Sequence, residues 1–308
     1  MEALQFQFLS LSFNGLTGEI PCSLSNLAEL NSLYLYDNSL TGFVPLGLFE
    51  LKKLKYLDFA NIQLSWNDSA VITARKLFIY LSLKSCGIAG EIPGWLSGQK
   101  ELEFLDLRDN KLSGSIPPWL ADLSILFLFL AGNRLTGVLP PSLFAEILLF
   151  IDLSRNALEG ELPKNICNAS SLRALSLGNN KFHGSLPESV SNLSSLLVLD
   201  LSNNFFSGDI LPAFKAAAYI LSFSDNHFSS IPMSMPNASL HHLTVLDLSD
   251  NDITGELPLY LAEFASLEIL SLRGNSIGGL IPASLSTLQN LFLLDPQATN
   301  SQERFQAS

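Results

Sequence analysis

Charged residues and long hydrophobic runs are scarce in this sequence of 308 residues. Charged residues make up only 15% of the chain, and acidic residues outnumber basic ones to give a net charge of -12. Because an acidic surface repels phosphate backbones and anionic lipids, we expect no nucleic-acid partner. No segment reaches the roughly 18 consecutive apolar residues of a membrane span, and the first residues lack the basic and apolar regions of a signal peptide. We therefore expect membrane association only through segments that are absent from this chain.

The residues that usually support catalysis or metal binding are also few. The four histidines are His183, His227, His241 and His242, and they are not spaced with cysteines or carboxylates as metal ligands are. Serines are common, but no histidine or acid is placed in the sequence to activate one as a nucleophile. We therefore expect no catalytic residue, no metal and no cofactor, and a binding protein rather than an enzyme.

A repeated unit with the spacing L-x-L-x-x-N runs through most of the sequence. Its asparagine position recurs every 22 to 25 residues, over twelve frames. Two frames keep the spacing but carry Ile62 or Cys86 at that position. The other ten carry the asparagine itself, at Asn14, Asn38, Asn110, Asn133, Asn156, Asn180, Asn204, Asn226, Asn251 and Asn275.

Glycine and proline keep a fixed distance from the asparagine position. Glycine follows it by four residues in most frames, as at Gly18 and Gly184, and proline often follows by seven after an aliphatic residue. The unit is therefore L-x-x-L-x-L-x-x-N-x-L-x-G-x-I-P. Its L-x-L part predicts a short strand with alternate side chains buried. The asparagine amide is expected to turn inward and to satisfy backbone groups of neighbouring coils.

The unit resembles the plant-specific leucine-rich repeats of receptor-like kinases, receptor-like proteins and polygalacturonase-inhibiting proteins, and its G-x-I-P half carries that resemblance. The resemblance implies an α/β solenoid, a right-handed superhelix of about twelve 24-residue coils with a concave parallel β-sheet. We expect this solenoid at residues 1–295, with an irregular coil at about 62–80, where the motif is lost. Residues 296–308 are expected to form a polar tail.

The three cysteines do not support a disulfide framework. Cys22, Cys86 and Cys167 lie about three coils apart, beyond the roughly 7 Å reach of a disulfide. Cys86 takes an asparagine position and is expected to be a buried small side chain.

The resemblance implies the ligand-binding repeat domain of a plant cell-surface receptor, for defence or developmental signalling. Its expected partners are a peptide or protein ligand on the concave face and a co-receptor. Its expected location is the extracellular face of the plasma membrane or the secreted fraction. Two alternatives stay open: a soluble apoplastic inhibitor of a microbial wall-degrading enzyme, and a cytosolic repeat scaffold, which the unpaired cysteines favour.

On the concave face, the positions two, four and six residues before the asparagine are expected to face solvent. Aromatic and arginine side chains, which dominate binding hot spots, gather there in the first half of the chain. Four N-x-[ST] sequons, at Asn67, Asn168, Asn192 and Asn237, are candidate glycosylation sites. The expected ligand-binding residues are Tyr34, Tyr36, Asp37, Tyr56, Tyr80, Lys84, Arg108, Asp109, Phe127 and Phe129.

Overall fold

The computed structural model describes residues 6–65, 77–214, 216, 218–234 and 242–295. The chain divides into two compact units, Met1–Ala157 and Leu158–Ser308. The irregular coil predicted at about 62–80 lies in large part outside the described residues, and the predicted tail at 296–308 lies wholly outside them.

Short parallel strands and 3-10 helices alternate along the first unit. Its 3-10 helices are Cys22–Asn26, Leu46–Glu50, Gly94–Gly98, Pro118–Asp122 and Pro141–Leu143. Its strands are β1 (Phe8–Ser10), β2 (Thr17–Glu19), β3 (Ser32–Tyr34), β4 (Ser39–Thr41), β5 (Tyr56–Asp58), β6 (Tyr80–Ser82), β7 (Ala89–Gly90), β8 (Phe104–Asp106), β9 (Lys111–Gly114), β10 (Phe127–Phe129), β11 (Arg134–Gly137) and β12 (Phe150–Asp152).

The second unit repeats this arrangement, with one short α-helix, α1 (Leu211–Phe214). Its 3-10 helices are Ile166–Asn168, Glu188–Asn192, Leu259–Glu263 and Ala283–Thr287. Its strands are β13 (Ala157–Gly160), β14 (Ala174–Ser176), β15 (Lys181–Ser185), β16 (Val198–Asp200), β17 (Phe205–Asp209), β18 (Ile220–Ser222), β19 (His227–Ser230), β20 (Val245–Asp247), β21 (Thr254–Glu256), β22 (Ile269–Ser271), β23 (Ser276–Gly278) and β24 (Leu293–Asp295).

Each unit contains one main parallel sheet, to which every coil contributes one strand. The order is β1-β3-β5-β6-β8-β10-β12 in the first unit and β14-β16-β18-β20-β22-β24 in the second. The predicted α/β solenoid of leucine-rich repeats is confirmed. Strand β24 follows the twelfth predicted frame and pairs with β22 in the same register, Leu293 opposite Ile269, so the strand pattern continues for one step beyond those frames.

We call the repeated asparagine position of each coil its ladder position. A second, narrower parallel ribbon follows the ladder position in several coils. It joins β7-β9-β11 in the first unit and β13-β15-β17-β19 in the second. In the second unit, Phe182, Phe206 and Phe228 of this ribbon are fully buried, and their rings stack with centroids 6.1 and 6.2 Å apart. Burial of each such ring contributes about 2 kcal/mol.

The core of each coil includes the middle residue of its main strand and the residue two positions later. Leu33, Leu81, Leu105 and Leu175 are examples with no exposed surface. The glycine four residues after the ladder position allows the next bend: Gly184, for example, has φ of 82°, a conformation that strains residues with a Cβ. Proline then stands at the start of the 3-10 helix in most coils. Its fixed φ suits this position, and its missing N–H costs no hydrogen bond there.

Asparagine side chains connect consecutive coils by hydrogen bonds to backbone groups. In the second unit, Nδ2 of Asn204 donates to the carbonyl oxygens of Leu177 (3.1 Å) and Leu201 (3.0 Å). Its Oδ1 accepts the backbone N–H of Phe182 at 3.0 Å. Bonds between coils are also made by the side chains of Asn38, Asn110, Asn133, Asn156, Asn180, Asn226, Asn251 and Asn275.

This ladder changes at three positions in the first unit. Asn14 is exposed and donates only within its own coil, to Leu11 and Ser12. Ile62 is buried and has no side-chain donor. The Cys86 thiol is fully buried and donates to the Phe59 carbonyl at 3.0 Å; burial raises its pKa to about 12, so it remains a protonated donor.

Candidate functional site

We call the solvent-facing side of each main sheet the strand face; it is the surface that the sequence predicts as concave. Parallel pairing in a constant register aligns equivalent residues of successive coils, so that Tyr56 lies opposite Tyr80 and Tyr80 opposite Phe104. Neighbouring strands lie about 4.8 Å apart. The positions six, four and two residues before the ladder position therefore form three continuous columns in each unit.

Aromatic rings fill one column of the first unit from β5 to β12. We call this column the aromatic strip; its residues are Tyr56, Tyr80, Phe104, Phe127 and Phe150, all partly exposed. Tyr80 and Phe104 stack at a centroid distance of 4.3 Å and an interplanar angle of 11°. Phe127 and Phe150 stack at 5.3 Å and 13°, and Phe104 packs at a tilt on Phe127 at 5.9 Å.

Stacking decides which part of each ring a ligand can contact. Where two rings lie face to face, as Phe127 and Phe150 do, those faces are covered by each other. The exposed surface then consists largely of ring edges, which carry the positive part of the aromatic quadrupole. Such edges attract carbonyl oxygens, whereas a sugar ring would need a free aromatic face.

Arg108 and Phe129 form a rigid pair beside the strip. The guanidinium of Arg108 binds both oxygens of Asp106, with Nη2 2.6 Å from Oδ2 and Nε 3.0 Å from Oδ1. Its Cζ lies 4.6 Å from the centroid of the Phe129 ring, within cation–π distance. Phe129 in turn packs on Phe104 at 5.5 Å. The hydrogen bonds to Asp106 raise the pKa of Arg108, which keeps the charge fixed at this place.

A tyrosine and a carboxylate interact at the other end of the strip. The Tyr80 hydroxyl donates to Oδ2 of Asp58 at 3.0 Å, and Oδ1 of Asp58 accepts the backbone N–H of Ala60 at 2.9 Å. Burial raises the pKa of Asp58 in spite of these bonds. Burial and the neighbouring Asp58 also raise the pKa of Tyr80. At this end of the strip, the neutral Tyr80 hydroxyl is therefore a hydrogen-bond donor to the largely buried carboxyl group of Asp58.

Tyr34 and Tyr36 lie in the second coil and contact residues of the first. The Tyr34 ring is 5.5 Å from that of Phe8, and the Tyr36 ring is 5.0 Å from that of Phe13 in an edge-on arrangement. Phe8 is 61% exposed and Phe13 73% exposed. The sequence prediction missed both phenylalanines, although Phe8 occupies the same column as the aromatic strip.

The backbone conformation explains why aspartate is suited to two positions that the sequence predicts as ligand-binding. Asp37 and Asp109 have φ of 54° and 55°, a left-handed conformation that aspartate and asparagine tolerate better than most residues. Oδ1 of Asp37 accepts a bond from Asn61 at 2.8 Å, and Oδ1 of Asp109 accepts one from Arg155 at 3.0 Å. Both lie at the edge of the strand face, with their carboxylates already engaged.

Lys84 lies in the same column as Arg108, one coil before it, and is partly exposed. Across the part of the chain that the structure describes, its amine lies within ion-pair distance of no acidic side chain. It is therefore a positive charge available to a ligand.

The ten residues that the sequence predicts to bind a ligand fall into two groups of aromatic contacts and a set of charged residues beside them. Tyr80, Phe127, Phe129 and Arg108 are linked through Phe104, whereas Tyr34 and Tyr36 pack towards the first coil. Tyr56 lies between the two groups by register. Among the described residues, no group of three or more His, Cys, Asp or Glu side chains is arranged to hold a metal ion.

Two of the four sequons lie in described segments. Asn168 and Asn192 are exposed and end the 3-10 helices Ile166–Asn168 and Glu188–Asn192. Asn67 and Asn237 lie outside the described residues.

Coils of this geometry are those of a leucine-rich-repeat protein. Comparison of the sequence with known protein families gives the same class. The Leucine Rich Repeat family profile matches residues 5–27, 101–123, 171–193, 195–217 and 266–288. A second leucine-rich-repeat profile matches residues 239–256. A comparison with curated protein sequences finds no match.

Among solved structures, the chain is similar to several plant receptor ectodomains. The plant peptide hormone receptor RGFR1 in complex with RGF2 is 28% identical, with a TM-score of 0.75 over 94% of this chain and 51% of that one. The ectodomain of the Arabidopsis receptor kinase HAESA, with a peptide hormone ligand, is 28% identical, with a TM-score of 0.74 over 96% and 55%. That of GASSHO1/SCHENGEN3 from Arabidopsis thaliana is 30% identical, with a TM-score of 0.70 over 92% and 40%.

The chain spans only about half the length of these solved ectodomains. Within the residues that the structure describes, none of the helices has the length and apolar character needed to cross a bilayer.

Proposed function

We propose that this chain is the ligand-binding repeat domain of a plant cell-surface receptor, and that it recognises a peptide or protein outside the cell. The observation that carries this proposal is the aromatic strip, together with the Arg108–Phe129 pair beside it. Large rings held in place by stacking lose little entropy when a ligand binds, which is why aromatic and arginine residues dominate hot spots. The surface binds and does not catalyse, and a co-receptor is a second expected partner.

The dimensions of the strip suit an extended peptide. From Tyr56 to Phe150 it crosses four inter-strand steps, or about 19 Å at 4.8 Å a step. An extended chain rises about 3.3 Å a residue, so about six residues would cover the strip. Ring edges meet the carbonyl oxygens and aliphatic side chains of such a ligand. The similar plant ectodomains whose names include a peptide hormone support the same ligand class.

Charge on the strand face selects among peptides. The carboxylates of Asp106 and Asp109 are engaged by Arg108 and Arg155, so they offer little attraction for a cationic ligand. The amine of Lys84 has no such partner among the described residues. We therefore expect the preferred peptide to be apolar, with an acidic side chain placed against Lys84.

The test is selection from a displayed library of random peptides, with the full chain as bait, followed by affinity measurements on variants. Joint replacement of Tyr56, Tyr80 and Phe127 of the aromatic strip by serine should weaken binding of the selected peptide at least tenfold, which is about 1.4 kcal/mol. The matched control replaces Val198, Ile220 and Val245 by serine, because they occupy the equivalent column of the second unit. We expect this control to bind normally.

Two results would contradict the proposal. One is unchanged affinity in the triple variant while circular dichroism shows that it is folded. The other is an equal loss in the control, which would indicate a nonspecific effect of opening the sheet surface.

A further inference from the structure

The column that contains the aromatic strip has a gap at Ser32, one coil before the strip begins. Register places Phe8, Ser32 and Tyr56 in this column on three neighbouring strands. Two inter-strand steps, or about 10 Å, therefore separate the aromatic residues Phe8 and Tyr56. The side chain between them is the small, buried hydroxymethyl group of Ser32. A cavity of about 440 Å³ lies at this gap, with Phe8 and Ser32 in its lining.

Lysines give this cavity a positive charge, in contrast to the acidic chain as a whole. Lys52, Lys53 and Lys55 line it together with one acidic residue, Glu29. Three ammonium groups and one carboxylate leave the lining with a net charge of +2, whereas the whole chain carries -12. The Nζ of Lys53 lies 2.5 Å from Oε2 of Glu29, so this lysine is already paired.

The other two ammonium groups can meet a ligand. Lys52 is exposed, and among the residues with described positions no acidic side chain lies within ion-pair distance of its amine. The Nζ of Lys55 lies 3.4 Å from Oε2 of Glu101, and these two side chains are 42% and 50% exposed. Because exposed ion pairs of this kind are weak, a ligand carboxylate can replace Glu101 as the partner of Lys55.

Two uncharged polar residues of the lining are already bonded within the protein. Oγ of Ser32 donates to Oδ1 of Asn31 at 3.0 Å, and Nδ2 of Asn31 donates to the Lys53 carbonyl oxygen at 3.1 Å. The Phe8 ring is 61% exposed and forms an apolar wall. The cavity therefore offers ammonium groups beside a hydrocarbon surface, which suits a carboxylate on a short apolar stem.

We propose that this cavity is an anion subsite, and that it holds a carboxylate of the peptide that lies on the aromatic strip. The inference rests on the proposed function. The carboxylate is an acidic side chain or the C-terminal group of the peptide. Ser32 lies one inter-strand step beyond Tyr56, or about 4.8 Å, and about one or two extended residues span that distance. The subsite therefore determines which end of the peptide points towards the first coil.

An NMR titration tests the subsite without the strip. The lysines carry isotopically labelled dimethyl groups, which keep their charge, and single lysine-to-arginine variants assign the signals. The probe is N-acetyl-Glu-Phe-amide at millimolar concentration. We expect the signals of Lys52 and Lys55 to move and those of Lys111 and Lys181 to stay, because these exposed controls begin strands of the narrower ribbon. N-acetyl-Gln-Phe-amide should move none of them.

Affinity measurements then test the link between the subsite and the peptide. The double variant Lys52→Gln with Lys55→Gln is compared with Lys111→Gln with Lys181→Gln, which removes the same charge elsewhere. The ligands are a peptide selected from the displayed library and its form with the acidic end replaced by an amide. We expect the first variant to bind the acidic peptide at least about fivefold more weakly. It should bind the amide form as the natural protein does, and the control variant should bind both peptides normally.

Unmoved signals of Lys52 and Lys55, or equal movement of all four lysines, would overturn the subsite. An equal loss of affinity in the two double variants would do the same. Movement caused by tri-galacturonic acid but not by the dipeptide would assign the cavity to an acidic sugar and reject the peptide carboxylate. If the dipeptide moves Lys52 and Lys55 but the library yields no binding peptide, the proposed function fails and the anion subsite stands. The reverse result rejects the subsite alone.

Discussion

The strand faces of the two units are built on the same coil but carry different side chains. In the column six residues before the ladder position, the first unit has the five rings of the aromatic strip. The second unit has aliphatic residues there: Ala174, Val198, Ile220, Val245, Ile269 and Leu293. Two residues before the ladder position, the first unit has Tyr36, Lys84 and Arg108 among small residues, whereas the second has small residues and one charged residue, Arg273.

The ladder differs between the units as well. All five ladder positions of the second unit carry asparagine, whereas Ile62 and Cys86 interrupt the ladder in the first. The coils that lose an asparagine are also coils whose exposed columns carry Tyr56, Tyr80 and Lys84. The stacking of coils depends on buried positions, so exposed columns are free to vary without loss of the fold. Under the proposed function, the first unit carries the recognition surface, and the second unit has the more regular coils.

The largest effect expected from this comparison is the loss of a ladder asparagine in the regular unit. Asn204→Ala removes the bonds to Leu177 and Leu201 and leaves the N–H of Phe182 without its acceptor. Because each unsatisfied buried group costs about 1–3 kcal/mol, we expect a total loss of about 3 kcal/mol or more. Chemical denaturation followed by circular dichroism measures it.

The matched control is Asn14→Ala in the first unit. Asn14 is exposed and bonds only within its own coil, so we expect a loss of about 0.5 kcal/mol or less. Equal losses in the two variants would show that the bonds between coils are not what stabilises the stack.

A smaller effect of opposite sign is expected from repairing the ladder in the first unit. Cys86→Asn places an amide where the thiol now donates to the Phe59 carbonyl. An amide oxygen could also accept the N–H groups of the preceding coil, as Asn110 accepts those of Cys86 and Ile88. Each added buried hydrogen bond contributes about 1 kcal/mol, so we expect a gain of about that size.

Cys86→Ala is the control for the repair, because it removes the donor without adding an amide. We expect it to be less stable than the natural protein by about 1 kcal/mol. If Cys86→Asn were the less stable of the two, the site could not accommodate a ladder residue, and the interruption would be a requirement of the neighbouring coil.

The repeat made the fold predictable, because each coil restates the same physical requirements. A buried leucine every second residue and an asparagine every 22 to 25 residues define the strand, its inward side and its neighbours. The second ribbon was not predicted, since segments such as Ala89–Gly90 and Lys111–Gly114 are too short to show an alternation. The 3-10 helices were also missed, because proline indicates where strand pairing ends but does not specify the conformation of the residues after it.

The candidate site was predictable in position but not in its contacts. Column spacing placed Tyr80, Arg108 and Phe129 on one surface. It did not predict that Arg108 binds both oxygens of Asp106 while lying over Phe129, because such a choice depends on side-chain rotamers. Nor did it indicate that Asp109 takes a left-handed conformation, which explains the residue without any ligand.

The smallest effect concerns the protonation of Asp58, which tests whether the end of the aromatic strip is desolvated. Burial raises the pKa of Asp58 in the folded state, so the folded protein binds this proton more tightly than the unfolded chain. That contribution to stability is complete below the unfolded pKa and is lost as the pH rises through the folded pKa. Asp58→Asn lacks the titration. We therefore expect its stability, relative to the natural protein, to improve by less than about 1 kcal/mol between about pH 4 and about pH 7.

Tyr80→Phe sharpens the same measurement, because it removes the hydroxyl that donates to Oδ2 of Asp58 at 3.0 Å. A bond to the charged carboxylate favours ionisation, so its loss should raise the pKa of Asp58 further. Carboxyl carbon shifts followed by NMR titration measure both values directly. A pKa of Asp58 that is unchanged or lower in Tyr80→Phe would mean that solvent, rather than tyrosine, satisfies the carboxylate. The strip would then be wetter at this end than its stacked rings indicate, and its contribution to binding an apolar peptide correspondingly smaller.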